Sequence, residues 1–319
     1  MTASDDAGVV GRRRLALVAA GLDPDLAVIR GPSFANEVWI GDELVIRINH
    51  AGQIGGDPER MLREAAIAAR LPREARYPDV LDAGRNGDLA WIVTRRAPGV
   101  ALGRAWAAMR PTEHERAIVE LAEALDALHG VDIGALDAFD LDPPHTLPLG
   151  PLLALIDAVI ADGADPGLLG DVAALVRARW DAFDDTGRGL VHGDPHFENA
   201  MWDGAQLSAL LDLEWSRRSW LACDLEILLA IADHPATFAA ADYAHTVAAT
   251  DYAAIPRWLA AARPGWFTDP RLLDRLEVLH VSRTLGALHE QPGSALRLGH
   301  LRAVLAGTSY LRRQLAAMR

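Results

Sequence analysis

Apolar and polar positions change their period along this chain, and the change divides it in two. Near the N-terminus Leu15, Leu17, Val18 and Ala20 recur at helical spacing, so a short amphipathic helix is expected over 12–21, with Gly21 to end it. Short Val- and Ile-rich runs follow at 26–30, 35–40 and 44–48, separated by Gly31-Pro32-Ser33 and Gly41-Asp42, and they predict strands of an antiparallel sheet. Residues 57–71 return to helical spacing through Met61, Leu62, Ala65, Ala66, Ala69 and Leu71, with Pro58 early. Two more strands, 79–83 and 89–95, flank an Arg85-Asn86-Gly87 turn and bring the expected sheet to five. Ala97-Pro98-Gly99 ends the strand pattern. Beyond it Thr112 reads as an N-cap three residues before Glu115, and an apolar stripe over 117–128 ends at His129-Gly130. The stretch 131–149, with Asp132, Asp137, Asp140, Asp142, Pro143 and Pro144, reads as an irregular excursion. Helices are expected at 152–162, 168–183, 221–232, 255–262, 270–289 and 294–317. This is an α+β pattern with strands in 1–98 and mainly helix in 99–319.

Two apolar runs interrupt the helical half, 187–191 and 207–213, and each delivers a polar cluster at or just beyond its end. The first is His192, Gly193 and Asp194, with Asn199 five residues after the aspartate; the second is Asp212 with Glu214 beside it. Asp203-Gly204 suggests that the two runs form a hairpin. Chemistry gives the grouping a reason. A phosphoryl donor needs a divalent metal held by hard oxygens, which a carboxylate and an amide supply while phosphates complete the shell. A hydroxyl acceptor needs a further carboxylate to orient it and take its proton. The segment Leu190 to Trp215, LVHGDPHFENAMWDGAQLSALLDLEW, resembles the catalytic and metal-binding loops of the aminoglycoside phosphotransferase family of antibiotic and small-molecule kinases, which share the protein-kinase-like fold. The resemblance implies Asp194 as catalytic base, Asn199 and Asp212 as Mg²⁺ ligands, His192 as a prop for the loop and Asp224 as the structural aspartate after the metal loop.

The same resemblance makes 1–98 a nucleotide-binding lobe, 99–319 a catalytic and acceptor-binding lobe, and Ala97-Pro98-Gly99 the hinge between them. It implies adenine bonded to the backbone near Arg95 and Ala97, with Thr94 setting the depth of its pocket. The chain departs from the protein-kinase pattern twice. The loop 31–36 carries one glycine instead of a glycine-rich run, leaving Ser33 and Asn36 as candidate phosphate donors. The strand cation is Arg47 where protein kinases use lysine, and a guanidinium pairs well with phosphate oxygens. Glu64, in the middle of the 57–71 helix, falls where the fold pairs a glutamate with that cation.

Charge and composition narrow the partners. All 31 basic residues are arginine, so any step must do without an ammonium group. A net charge of −13 argues against nucleic acid, whose phosphates demand basic surface. No run approaches a membrane span, the first residues do not read as a signal sequence, and the single cysteine, Cys223, excludes an internal disulfide; a cytoplasmic protein is expected. Residues 1–98 carry a net of −1 and the remainder −12. That field suits a cationic acceptor, and equally it is ordinary solubility charge. Glu198 and Glu214, beside the catalytic and metal residues, and Trp215 are the candidate acceptor contacts, with Trp220, Trp266 and Phe267 as further aromatic faces or as core. The reading is a kinase that moves the γ-phosphoryl of ATP or GTP to a hydroxyl of a small molecule such as an aminoglycoside. A choline, sugar or macrolide kinase and a non-catalytic kinase-like module stay open, because motif residues fix the chemistry and not the acceptor. Oligomeric state leaves no trace in the sequence.

Overall fold

Alternation in the N-terminal runs becomes strand pairing in the computed structural model, which describes residues 3–31, 36–50, 58–132, 134, 148–184 and 187–318. Strands β1 (Ile29–Arg30), β2 (Asn36–Ile40), β3 (Leu44–Asn49), β4 (Val80–Asn86) and β5 (Leu89–Arg95) form one antiparallel sheet in the order β1-β2-β3-β5-β4. The first strand is shorter than its apolar run because Leu26 N–H bonds back to Asp23 in a turn. Helix α1 (Ala3–Ala19) buries Ala16 and Leu17 against Trp39, Ile46, Ile48, Trp91 and Val93 on one face of the sheet. Helix α2 (Pro58–Ala68) lays Met61 against Ala90 and Ile92 on the other. Successive strand residues point to opposite faces. With Ile46 and Ile48 facing α1, Arg47 must face α2, and that decides where the cation goes.

Gly99 has φ +96°, and a Cβ there would sit 2.0 Å from the Trp202 carbonyl oxygen, so only glycine fits this crossing. It admits β6 (Val100–Ala101), which pairs with β8 (Ala200–Trp202); β8 in turn pairs with β9 (Leu207–Leu210). The strand leaving the sheet-bearing half is thereby stitched to the strand leaving the 192–199 loop. Helices α3 (Leu102–Trp106) and α4 (Pro111–His129) follow. Thr112 is not the cap of α4. Arg110 is, with Pro111 at the first helical position and Glu113 Oε2 accepting the Arg110 N–H at 2.7 Å, because proline there starts the helix two residues earlier.

The expected hairpin is corrected in its partners. The turn at Asp203-Gly204 joins β8 to β9, whereas β7 (Arg188–Val191) pairs with β10 (Arg217–Trp220). Helices α5 (Leu149–Ala161), α6 (Pro166–Arg179), α7 (Ala222–Asp233), α8 (Ile255–Ala262) and α9 (Leu272–Glu290) complete the helical half with α10 (Ala295–Leu305) and α11 (Tyr310–Ala317). The last two were expected as one helix. Gly307 at φ +68° ends the first, and Ser309 accepts the Arg312 N–H to start the second. Trp220 is core, packed on Phe183, and Trp266 and Phe267 pack against the core of α4, α7 and α8. A small cluster of Ile67, Ala75, Leu128, Leu190 and Leu213 joins α2, α4 and β7 directly behind the polar loops. No helix among the described residues is long and apolar enough to cross a membrane.

Candidate active site

Arg47 is the centre of the sheet side of the site. Its Nη1 donates to Glu64 Oε1 at 2.6 Å and its Nη2 to Asp212 Oδ1 at 3.1 Å, with Glu214 Oε2 4.0 Å away. Glu64 is 0% exposed, and its Oε1 also accepts the Tyr77 hydroxyl at 2.7 Å and the Leu213 N–H at 3.1 Å. The helix glutamate therefore fastens the cation to the backbone beside Asp212. Burial works against the Arg47 charge, but Glu64 and then Asp212 outweigh it, and its pKa stands well above the ordinary arginine value.

The loop after β7 is held from below by Asp224 on α7. Its Oδ2 accepts the His192 N–H at 2.9 Å and its Oδ1 the Gly193 N–H at 2.8 Å, while His129 Nε2 donates to Oδ2 at 2.8 Å. Burial pushes the Asp224 carboxyl up, yet the His129 bond and charge, with the Gly193 N–H, bring it below the usual carboxylate value. His192 is fully buried. Its Nδ1 accepts the Asp194 N–H at 3.2 Å and its Nε2 donates to Leu211 O at 2.9 Å, tying the loop to the segment that carries Asp212.

Asp194 is half-buried at the rim of this loop. Asn199 Nδ2 donates to the Asp194 carbonyl at 3.0 Å, which turns Asn199 Oδ1 away without a hydrogen bond among the described residues. Asp212 lies in the left-handed region at φ +65°, one of two non-glycine residues so placed among the described residues, a conformation that aspartate tolerates better than most. With Oδ1 committed to Arg47, its Oδ2 is also without a hydrogen bond. An amide oxygen and a carboxylate oxygen, both unspent, are the hard donors that Mg²⁺ takes. No group of three or more His, Cys, Asp or Glu among the described residues could hold a metal.

The remaining expected residues fall in different places. Asn36 reaches Glu214 Oε2 at 3.3 Å, and Glu214, 6% exposed, faces this sheet side of the site; burial and then Asp212 push its carboxyl up to about 7. Trp215 offers its ring to Arg60 of α2, whose Cζ lies 4.5 Å from the ring centre. Glu198 sits on the short turn Phe197–Asn199, where it accepts the Tyr243 hydroxyl and lies 3.9 Å from Arg104, itself paired with Asp242 at 2.8 and 3.1 Å. Thr94 is buried on β5. The Arg95 N–H is spent on Asp79 O at 2.8 Å, while the Ala97 N–H makes no hydrogen bond among the described residues. Ser33 and most of the acidic stretch 133–147 lie outside the described residues.

Four residues entered the site without being anticipated: Tyr77, His129, Tyr243 and His196. His196 Nδ1 accepts the Glu198 N–H, so Nε2 carries a proton, 3.2 Å from Asp194 Oδ2. Burial lowers its pKa, but the Asp194 hydrogen bond and charge outweigh that and leave it raised.

Curated protein sequences give no match. Similar solved structures include the GDP and kanamycin complex of APH(2")-IIia, at 16% identity over 92% of this chain and 97% of that chain with a TM-score of 0.63. A choline/ethanolamine kinase family protein from Mesorhizobium loti matches at 21% identity over 99% of both chains, TM-score 0.59. A ternary complex of aminoglycoside phosphotransferase APH(4)-Ia with AMP-PNP and hygromycin B matches at 18% over 92% and 97%, TM-score 0.57. These likenesses establish the two-lobed kinase-like fold. The model of the phosphotransferase enzyme family, APH, matches residues 28–259. A match over that much of the sequence, on a chain that converges Asp194, Asn199, Asp212, Arg47 and Glu64, assigns it: the protein belongs to the APH phosphotransferase enzyme family and is a nucleotide-dependent small-molecule kinase.

Proposed function

We propose that the protein transfers the γ-phosphoryl group of ATP or GTP to a hydroxyl of a small molecule, with Asp194 as the base. The observation that carries the reading is the convergence on Arg47: it binds Glu64 and Asp212 while Asp212 follows the segment that His192 ties to the Asp194 loop. Asp194 orients the acceptor hydroxyl and takes its proton. The acceptor oxygen bonds to the γ-phosphorus as the bond to the β,γ-bridging oxygen breaks, and nucleoside diphosphate leaves. Arg47, braced by Glu64, stabilises the phosphate charge. Asn199 Oδ1 and Asp212 would hold Mg²⁺, which when bound neutralises phosphate oxygens. The lobe boundary falls between residues 98 and 99, and the Ala97 N–H is the hinge donor left for the base.

The acceptor is a small hydroxylated compound. Its cationic, aminoglycoside-like form is supported by the net −12 after residue 98 and by the kanamycin and hygromycin B in the similar structures. One observation favours a neutral or singly charged acceptor instead: Glu198 is engaged by Tyr243 and Arg104, and Glu214 is turned to Arg47. The choline/ethanolamine kinase likeness fits that second form. A coupled nucleotide-turnover screen with ATP and GTP, across aminoglycosides, peptide antibiotics, macrolides, choline and amino sugars, tests both. Acceptor-dependent turnover lost by about two to four orders of magnitude in Asp194→Ala is expected. Turnover within tenfold of wild type in that variant would sink the assignment.

A further inference from the structure

We propose that Arg217 is a positioning residue that holds the catalytic aspartate, Asp194, from inside the protein; the inference rests on the phosphotransfer reading of Asp194. Arg217 opens β10 directly opposite Val191, the last residue of β7 before the His192-Gly193-Asp194 turn. It is 3% exposed. Its Nη1 donates to the Trp215 carbonyl at 2.6 Å, which folds the guanidinium back under the turn instead of across the strand. Gly193 shows how close it comes. A Cβ on Gly193 would lie 2.4 Å from Arg217 Nη1 and 2.3 Å from Trp215 O, and Gly193 has φ +86°. The residue immediately before Asp194 therefore rests on the guanidinium and on the carbonyl that orients it, and no side chain could stand between them.

Charge identifies what the guanidinium serves. Burying it is costly, and burial is the largest influence on Arg217, lowering its pKa; Cys223, Asp224 and Asp194 pull the other way. Cys223 is a thiol pushed up to about 11, first by burial, and carries no charge at neutral pH. Asp224 already has three donors in His129, His192 and Gly193. Asp194 follows directly on Gly193, the residue that rests on the guanidinium, and its carboxylate also meets His196 Nε2 at 3.2 Å. A guanidinium suits the task because its fork can serve the Trp215 carbonyl and a carboxylate together and because it does not take the proton that Asp194 must accept. The pairing of β10 with β7 is made by the backbone and does not itself call for an arginine here.

The test is a double-mutant cycle on the full chain, measuring ATP turnover with water as acceptor and again with the best acceptor of the screen. Arg217→Met should lower kcat about 10- to 100-fold, the range expected when a reacting group is misplaced by a fraction of an ångström to an ångström, with KM for ATP changed less than about threefold. Arg217→Lys should recover part of the loss. In an Asp194→Asn background the Arg217→Met loss should shrink below about threefold, because the two residues act as a unit. Losses that multiply, or a lysine variant no better than methionine at equal melting temperature, would overturn the proposal and make Arg217 structural. If the methionine variant does not fold, the same cycle is run with Arg217→Lys and read the same way. A wild type that turns over no nucleotide with any acceptor ends the phosphotransfer reading and this proposal together; an active wild type with multiplying losses ends this proposal alone.

Discussion

Arg47 Nη2 lies 3.1 Å from Asp212 Oδ1 across 165 residues of chain, while the other end of the same guanidinium holds Glu64. One planar fork thus joins a strand, a helix and the segment bearing a candidate metal ligand. A lysine at 47 keeps the charge but cannot reach both carboxylates at once. Arg47→Lys should weaken nucleotide binding about tenfold, which is about 1.4 kcal/mol. Glu64→Ala should be worse for the fold than for the chemistry. It leaves a largely buried guanidinium, the Tyr77 hydroxyl and the Leu213 N–H without their shared acceptor, and breaking such a buried pair costs about 3–5 kcal/mol. Calorimetric nucleotide titration and thermal melts separate the two. A Glu64→Ala melt equal to wild type would show that Arg47 finds another partner at no cost.

Asp212 is expected to couple nucleotide to metal. Its Oδ2 and Asn199 Oδ1 are the oxygens that the surrounding hydrogen bonds leave unspent. Asp212→Asn removes a negative ligand while keeping the shape, so nucleotide affinity should fall in Mg²⁺ and change little in EDTA. Titrations in both conditions check this. An Asp212→Asn variant with wild-type Mg²⁺ dependence would move the metal site elsewhere.

These two centres differ in how far the sequence reveals them. The Arg47 and Glu64 partnership follows from local rules: period-2 alternation sets the face of Arg47, and helical spacing sets Glu64 on the side of α2 opposite solvent. The His192 to Asn199 loop is legible because its geometry is confined to eight consecutive residues. Pairing of β7 with β10 is not legible, since β10 reads Arg-Arg-Ser-Trp, with no apolar run to announce a strand, and only the tertiary register decides. The same holds for His129, which reaches Asp224 from 95 residues away, and for Tyr77 and Tyr243, single tyrosines whose partners lie on other elements. Thr112 misled because a proline just ahead of it starts the helix earlier. Glu198 and Glu214 read as free acids in sequence because nothing local announces Arg104 or Asn36.

The Glu198 contacts carry a prediction about the acceptor. Gly103 on α3 is the floor that lets them form: a Cβ there would lie 2.3 Å from the Tyr243 hydroxyl and 2.7 Å from Glu198 Oε1. Gly103→Ala and Tyr243→Phe should each release Glu198 from the Tyr243 hydroxyl, leaving it only the longer Arg104 approach at 3.9 Å among the contacts described. If the acceptor is a polyamine, KM in these variants should fall and gain salt dependence between about 0.05 and 0.5 M NaCl, as a freed carboxylate becomes available. If it is neutral, KM should stay insensitive to salt in wild type and variants alike. Steep salt dependence already present in wild type would locate the cation's partners elsewhere in the acidic half.

The last prediction concerns stability in acid and arises far from the site. Glu226 on α7 accepts from His280 Nδ1 at 2.9 Å, from Arg283 at 2.8 and 2.7 Å and from the Tyr310 hydroxyl at 2.9 Å. Beside this network His300 packs 5.1 Å from the His280 ring and 5.0 Å from that of His234. Burial, then the neighbouring His280, His234, Arg297 and Arg283, push His300 down to about 4; burial also lowers His280, although Glu226 opposes it. A free histidine titrates near 6.5. Between about pH 6.5 and 4 the unfolded chain therefore binds protons that the folded chain refuses, and stability falls as pH falls through that window. Glu226 adds nothing there. Burial would raise its carboxyl, but Arg283 and His280 hold it far below the usual range, so its contribution is present above the unfolded carboxylate value of about 4.3 and is lost only in stronger acid. Glu214, held up to about 7, keeps its proton in the folded chain across the same window and opposes this fall, so the His300 share is read as a difference between two melting curves. His300→Gln, which cannot charge, should match wild type within a few degrees at pH 8 and gain on it progressively from pH 6.5 to 4.5. A His300→Gln curve parallel to wild type across the window would place the titrating group elsewhere.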